Sequence, residues 1–408
     1  MAAHYDILIV GAGQAGRRAA EAARRTDARA GIAILGDEPH LPYDRPPLSK
    51  DALKDPARYA DCEKRSAAQY AEDRIDLLLG ERAERLDRAA RTVHTAGGRA
   101  LHYDRLVIAT GSRVRRLALP AGLEDDVLYL RTRDDADRLR ARIRPGARLA
   151  LIGAGFVGLE VAASARELGA QVVVLDQAAR VLSRVLPAQA GARVQARHER
   201  AGVDFLLGAR IAGISRAPSG RLAIDVGGSV LEADAAVAGI GVLPNTELAQ
   251  EAGLAVDDGL LVDEYGRTDD PAVFGAGEVT RHPVAGLAGR ARLESWQVAE
   301  FQAEAAGAGA AGALTPYRAL PWFWSDQYDL NIQMAGHAPA GARIVARGAD
   351  DGPQTLFFLD GGDRLAGAVA FNNGRDISGV RRVVEKGAPV DPAVLAAPGP
   401  LSWRDLLR

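Results

Sequence analysis

The chain has 408 residues, 48% of them hydrophobic and 25% charged, so it is long enough for two or three domains with separate cores and needs no disulfide or metal to fold. A net charge of -2 gives no overall basic field for a nucleic acid. A single cysteine, Cys62, excludes an internal disulfide, a Cys-x-x-Cys redox pair and a protein-ligated iron–sulfur cluster, so redox chemistry has to come from a bound cofactor.

From Tyr5 an apolar strand is predicted to run into Gly11-Ala12-Gly13-Gln14-Ala15-Gly16 and then into an Ala-rich helix. This is the strand, glycine turn and helix that a dinucleotide requires: Gly11 permits the turn, Gly13 lets a pyrophosphate approach, and Gly16 lets helix and strand pack closely. No charged-then-apolar leader precedes the strand and no apolar run reaches the length of a membrane span, so a cytoplasmic protein without a membrane partner is expected. The next strand, Gly31 to Leu35, ends at Asp37 and Glu38, near the spacing at which a carboxylate holds a ribose. Lys50 is one of only four lysines, with Lys54, Lys64 and Lys386. Cys62 falls in a charged loop and is expected to be incidental. Tyr103 to Ser112 is an apolar strand entering a glycine turn at Thr110 and Gly111.

The first pattern then recurs in full. Arg148 to Ile152 is a strand, Gly153-Ala154-Gly155-Phe156-Val157-Gly158 a second turn, and a helix through Leu168 leads to a strand from Gln171 to Leu175 that ends at Asp176. Asp176 can accept from a ribose 2'-hydroxyl and would repel a 2'-phosphate, which favours NADH over NADPH, with Arg180 the nearest opposing cation. Ala235 to Leu243 and Ala272 to Glu278 read as two more strands. Ala303 to Leu314 reads as a helix end and linker. The seven histidines show no metal-ligand spacing, so no metal site is expected. The expected class is therefore α/β, with two Rossmann-like dinucleotide-binding domains.

Three further segments narrow this: Tyr43-Asp44-Arg45-Pro46-Pro47-Leu48-Ser49-Lys50, Gly241-Val242-Leu243-Pro244-Asn245 and Pro321-Trp322-Phe323-Trp324-Ser325-Asp326-Gln327. With them the chain resembles, over essentially its whole length, the ferredoxin reductase branch of the pyridine-nucleotide-disulfide oxidoreductase-type flavoproteins. The resemblance implies an FAD-binding domain over 1–111 and 236–313, an NAD-binding domain inserted over 112–235, and a smaller α+β domain over 314–408. It implies an FAD-dependent NADH:ferredoxin oxidoreductase, a monomer or homodimer, that passes electrons singly to a [2Fe-2S] ferredoxin serving an oxygenase or a cytochrome P450. An NADH oxidase or monodehydroascorbate-type reductase, and a non-enzymatic NADH-sensing flavoprotein, share the same motifs.

The resemblance also assigns residues. Lys50 stands beside the flavin, paired with Glu160, and these two are the expected catalytic residues; a solvated lysine and an ordinary helix acid are the plainer alternative. Gly11, Gly13, Ala15 and Gly16 contact the FAD pyrophosphate, Asp37 or Glu38 the adenosine ribose, and Arg45, Ala83, Thr110, Gly111, Arg131 and Gly241 match further positions around the cofactors. Glu278 stands where relatives carry Asp against the ribitol. Trp296, after a helix cap at Ser295, faces the flavin or is simply core. Gly153, Gly155, Phe156, Val157, Gly158, Glu160, Asp176 and Arg184 serve NADH. Trp324, with Trp322, either lines the electron exit or packs in the core. Arg343, Arg347, Arg381 and Arg382 are candidates for docking an acidic ferredoxin.

Overall fold

The computed structural model describes residues 3–399, 401–403 and 406, and its backbone divides into two units. One comprises the chain up to Arg45, Tyr59–Arg113 and Val242–Ala319. The other comprises Pro46–Arg58, Val114–Gly241 and the chain from Leu320 onward.

In the first unit, β1 (Ala3–Val10) is buried over its last four residues, as befits a central parallel strand covered on both faces. The turn after it leads into α1 (Gln14–Thr26), and β2 (Ile32–Gly36) is buried throughout. β2 and the strand Ala100–Ile108 flank β1 in parallel, Ile75–Leu79 lies outside β2, and Val273–Gly275 pairs with Ala100–Ile108. An antiparallel pair, Ala83–Asp87 and Thr92–Thr95, completes a seven-stranded sheet. The alanines of α1 have a structural reason: Ala19, Ala20 and Ala23 are buried, and a β-carbon on Gly307 of the helix Ala303–Ala310 would lie 2.1 Å from the Ala19 carbonyl oxygen. Only small residues allow two helices this close. That second helix begins at Trp296 as expected, with Ser295 Oγ accepting from the Val298 N–H at 3.3 Å, and passes through a π-helical turn, Val298–Gln302.

In the second unit, β3 (Arg148–Ile152), α2 (Phe156–Glu167) and β4 (Gln171–Asp176) repeat the strand, turn, helix, strand plan. The sheet is parallel, in the order Val203–Leu207, β4, β3, Ala235–Ala238, Val127–Leu128. The expected single strand from Ala235 to Leu243 is interrupted: it stops at Ala238, Gly241 turns with φ of 99°, and pairing resumes only in Val242–Pro244. The helix α3 (Ala188–Arg200) follows β4. Toward the C-terminus, β5 (Trp322–Gln327) is an edge of a five-stranded antiparallel sheet with Leu330–Gly336, Leu365–Phe371, Gln354–Leu359 and Arg343–Gly348. Ile377, Val380 and Val383 of the helix Gly374–Lys386 close its core. Among the described residues no helix is long and apolar enough to cross a membrane.

Candidate functional site

The first turn is built from what its glycines lack. Gly11 has φ of 119°, and a β-carbon there would lie 2.1 Å from the Ala109 carbonyl oxygen; one on Gly16 would lie 1.8 Å from the Gly11 carbonyl oxygen. A β-carbon on Gly13 would meet no protein atom within 4 Å. Two glycines therefore fold the chain, and the third leaves space at the N-terminus of α1, where free N–H groups favour an anion. This fits a dinucleotide pyrophosphate. Gly36, at the end of β2, and Gly277 pack directly on the turn: their β-carbons would lie 2.3 Å from Ala12 Cβ and 2.6 Å from Ala15 Cβ.

Around this turn Asp37 is exposed, whereas Glu38 is half-buried and held by the protein. Tyr43 donates to its Oε2 at 2.6 Å and Arg45 to its Oε1 at 2.7 Å. Burial disfavours the charge on Arg45, but Tyr43, Glu38 and Glu278 outweigh it and hold its pKa above the ordinary arginine value. Glu278 thus joins the same electrostatic group as Glu38. The chain turn before it is fixed by Gln302, which sequence reading missed: its Oε1 accepts from the Gly277 N–H at 2.6 Å and its Nε2 donates to the Gly275 carbonyl at 3.0 Å. Thr110 Oγ1 donates to the Asn245 carbonyl at 2.7 Å, and Asn245 Nδ2 donates back to the Thr110 carbonyl at 2.9 Å, with Gly111 at φ of 64° between them and Ser112. Ala83 lies on the antiparallel pair at the sheet edge. Trp296 is half-buried, stacked edge-on to Phe301 at 6.3 Å, and is not a core residue.

The second turn repeats the design with different neighbours. A β-carbon on Gly153 would lie 2.4 Å from the Gly239 carbonyl, one on Gly158 2.4 Å from the Gly153 carbonyl, and one on Gly155 would meet nothing. This too fits a dinucleotide. Gly239 is the residue that closes against this turn, and the sequence reading did not single it out. Asp176 accepts from the Ala154 N–H at 2.7 Å and the Ala178 N–H at 2.8 Å, which anchors the carboxylate at the end of β4 and leaves each oxygen further acceptor capacity. Arg180 points its guanidinium into backbone, donating to the carbonyls of Leu186 at 2.8 Å and Ser183 at 3.1 Å, so it is not offered to a 2'-phosphate. Val157 is 48% exposed beside the turn and Arg184 is exposed beyond it. Arg131 precedes the helix Arg133–Arg142, where Thr132 and Asp135 form a capping box and Asp135 accepts from the Arg131 N–H at 3.1 Å.

The third element is a buried carboxylate. Glu160, on α2, is 5% exposed, and Lys50 Nζ stands 2.8 Å from its Oε2. Lys50 also donates to the Pro46 carbonyl at 3.0 Å. Ser49 donates to the same Oε2 at 2.5 Å, and Ser325 of β5 donates to Oε1 at 2.5 Å. Ser164 Oγ binds the Ser49 carbonyl at 2.8 Å, and Arg140 binds the carbonyls of Ala52 and Leu53, so the whole Lys50 segment is strapped to the inserted nucleotide fold. Desolvation offsets most of the attraction in such a pair, yet leaving one partner alone costs roughly 3–5 kcal/mol. The pair fixes a cation at a chosen place rather than adding much net stability. Both oxygens of Glu160 are engaged by protein donors, Ser49 and Ser325 among them, neither of which the sequence reading singled out.

Two further expectations are corrected. Cys62 is 1% exposed in the short helix Tyr59–Cys62, not in a charged loop. Arg347 is 8% exposed and donates to the carbonyls of Leu395 and Ala397 at 3.2 and 2.7 Å, so it ties down the C-terminal segment instead of offering charge to a partner. Arg343, Arg381 and Arg382 are exposed. Trp322 and Trp324 stack on each other at 5.3 Å and 21°, both half-buried, with Trp322 against the C-terminal core. Among the described residues no group of His, Cys, Asp and Glu is placed to hold a metal.

Comparison with known proteins is consistent along the chain. Residues 5–303 match the model of the pyridine nucleotide-disulphide oxidoreductase family, and residues 322–401 match a reductase C-terminal domain. The anthranilate 1,2-dioxygenase system ferredoxin–NAD(+) reductase component of Burkholderia cepacia is 48% identical, over 96% of this chain and 97% of that protein. The solved putidaredoxin reductase–putidaredoxin covalent complex contains a chain 34% identical, with a TM-score of 0.93 over 99% of this chain and 98% of that one. The ferredoxin reductase for the CYP199A2 system of Rhodopseudomonas palustris is 35% identical, with a TM-score of 0.92 over 98% and 99%.

Proposed function

Because the chain belongs to the pyridine nucleotide-disulphide oxidoreductase family and carries a reductase C-terminal domain, we propose that it is an FAD-dependent NADH:ferredoxin oxidoreductase, the electron-supplying component of an oxygenase or cytochrome P450 system. The observation that carries this reading within the family is the cysteine count. Two dinucleotide turns stand in a chain whose one thiol, Cys62, is buried, so no dithiol can relay electrons. Bound FAD supplies a ring that accepts a hydride from NADH and yields electrons one at a time, which suits a [2Fe-2S] ferredoxin.

The chain's own residues bind and orient. The Gly11–Gly16 turn and the N-terminus of α1 bind the FAD pyrophosphate, with Glu38, Arg45 and Glu278 as the polar frame beside it. The Gly153–Gly158 turn binds the NADH pyrophosphate and Asp176 its ribose. Lys50, fixed by Glu160, is the cation that stabilises negative charge on the flavin ring; Glu160 serves by holding Lys50. Ala83, Thr110, Gly111, Arg131, Arg184, Gly241 and Trp296 line the cofactors. Arg343, Arg381 and Arg382 are the cations offered to an acidic ferredoxin. The cytoplasm, where NADH is held, is the compartment this activity needs.

The locked Arg180 and the anchored Asp176 lead to a prediction. Asp176→Ala is expected to lower kcat/KM for NADH by about 10- to 100-fold, the loss of a charged hydrogen-bond acceptor, while NADPH stays a poor donor because Arg180 is already spent. Initial rates with ferricyanide as acceptor check both. The function itself is tested by anaerobic titration: NADH bleaches the flavin of the purified protein, and an added [2Fe-2S] ferredoxin of an oxygenase system is then reduced in the ratio of two per NADH. A flavin that NADH does not bleach overturns the proposal.

A further inference from the structure

One face of β5 meets the inserted nucleotide fold. Alternate residues Phe323, Ser325 and Gln327 point the same way. Phe323 stacks edge-on to Phe156 at 4.7 Å, Ser325 donates to Glu160 at 2.5 Å, and Gln327 Oε1 accepts from His198 Nε2 at 2.8 Å. The spacing matches: Phe156 and Glu160 are one helical turn apart, about 6 Å, and Phe323 and Ser325 are two strand residues apart, about 6.7 Å. Gln327 Nε2 also donates to Ser325 Oγ at 2.9 Å, which orients the serine so that its own proton is directed at Glu160. Ser325 is 0% exposed, and a buried hydroxyl with both its donor and an acceptor site used has one orientation open to it.

We infer that Ser325 is a positioning residue for the reductase: by occupying Oε1 of Glu160 it confines Lys50 to Oε2, and so sets where the Lys50 ammonium stands. The inference rests on the role proposed above for Lys50. Glu160 has two oxygens and three side-chain donors, Ser49 and Lys50 on one and Ser325 on the other. With the Ser325 hydroxyl removed, the buried Oε1 is left unsatisfied, and Lys50, already on Oε2, is the cation that can turn onto it. The carboxylate then takes the ammonium onto both oxygens and draws it from its position near the Pro46 carbonyl. Ser325 touches neither cofactor in this account and acts only through Glu160. A residue of the C-terminal domain thereby completes the charge pair of the nucleotide fold.

The test uses the FAD-loaded full chain labelled with 13Cε-lysine, whose four lysines give four signals, Lys50 being assigned by its loss in Lys50→Arg. In Ser325→Ala the Lys50 signal is expected to move while those of Lys54, Lys64 and Lys386 stay, and in Ser325→Thr, which keeps the hydroxyl, it returns to the wild-type position. The anaerobic rate of flavin bleaching at saturating NADH falls about tenfold in Ser325→Ala, with the half-saturating NADH concentration unchanged. A Lys50 signal that stays put in Ser325→Ala, or that moves together with the other three, overturns the inference. Wild-type protein that NADH fails to bleach would instead overturn the function proposed above, and the lysine signals are read without NADH.

Discussion

Gly13→Ala is expected to give a folded protein that binds FAD about 100-fold more weakly, and Gly155→Ala a folded yellow protein that needs about 100-fold more NADH to be bleached. The reason is the division of labour within each turn. At Gly13 and Gly155 a methyl group meets no protein atom within 4 Å, so the fold tolerates it. The same methyl fills the space at the helix N-terminus that a pyrophosphate needs, and overpacking there weakens the dinucleotide by on the order of 3 kcal/mol, about 100-fold in affinity. Gly16→Ala and Gly158→Ala are the contrast, because their β-carbons would stand 1.8 and 2.4 Å from carbonyl oxygens of the same turn. These are expected to lose folded protein along with binding. FAD fluorescence titration, paired with circular dichroism, separates the two classes. If Gly13→Ala binds FAD as tightly as wild type, the pyrophosphate does not lie at this turn.

Acid is expected to destabilise the protein steeply between pH 6.5 and 4. His198 and His282 are 0% and 1% exposed, and burial pulls each pKa from 6.5 to about 4; for His198 the Gln327 bond opposes that pull and Arg197 adds to it. Both are neutral in the fold at neutral pH. Below pH 6.5 the unfolded chain binds a proton at each, and the folded chain does not until about pH 4. The stability these residues allow is therefore fully present above pH 6.5 and is lost as pH falls toward 4. At pH 5 the loss is about 2 kcal/mol for each histidine, about 4 kcal/mol together, a large part of a typical domain stability of roughly 5–15 kcal/mol. Thermal melts in excess FAD at pH 7 and pH 5 measure it. His282, whose Nδ1 lies 3.2 Å from Thr280 Oγ1 and whose Nε2 has no partner among the described residues, can be replaced with little else lost. In His282→Phe the fall between the two pH values should shrink by about half; an undiminished fall would mean that His282 is not the group that titrates.

Much of this was legible in the sequence because glycine turns write backbone geometry directly into residue identity. Gly11, Gly16, Gly153 and Gly158 are required where a β-carbon would strike a carbonyl, so spacing alone found both turns and the strands beside them. Lys50 stood out by rarity, and its pairing with Glu160 came through the resemblance. Asp176 followed from its place at the end of β4. What the sequence hid lies where one residue type serves several purposes. Ser49 and Ser325 are ordinary serines until the fold brings three segments to one buried carboxylate. Arg347 reads as a surface cation, but at 8% exposure its guanidinium is turned onto the carbonyls of Leu395 and Ala397. Cys62 is flanked by Asp61 and Glu63 in sequence, yet it is buried in the fold. The break at Gly239–Gly241 escaped notice because an apolar run carries no sign of where its backbone changes direction, and the residue closing the second turn proved to be Gly239.

Electrons are expected to leave the flavin singly to a ferredoxin and not through a thiol or to oxygen. Steady-state cytochrome c reduction by NADH, with and without a [2Fe-2S] ferredoxin from an oxygenase system, tests it most directly. The reductase alone is expected to reduce cytochrome c slowly, and the rate to rise in proportion to added ferredoxin until it saturates. A rate that ignores the ferredoxin, with NADH consumed instead by oxygen, would contradict it.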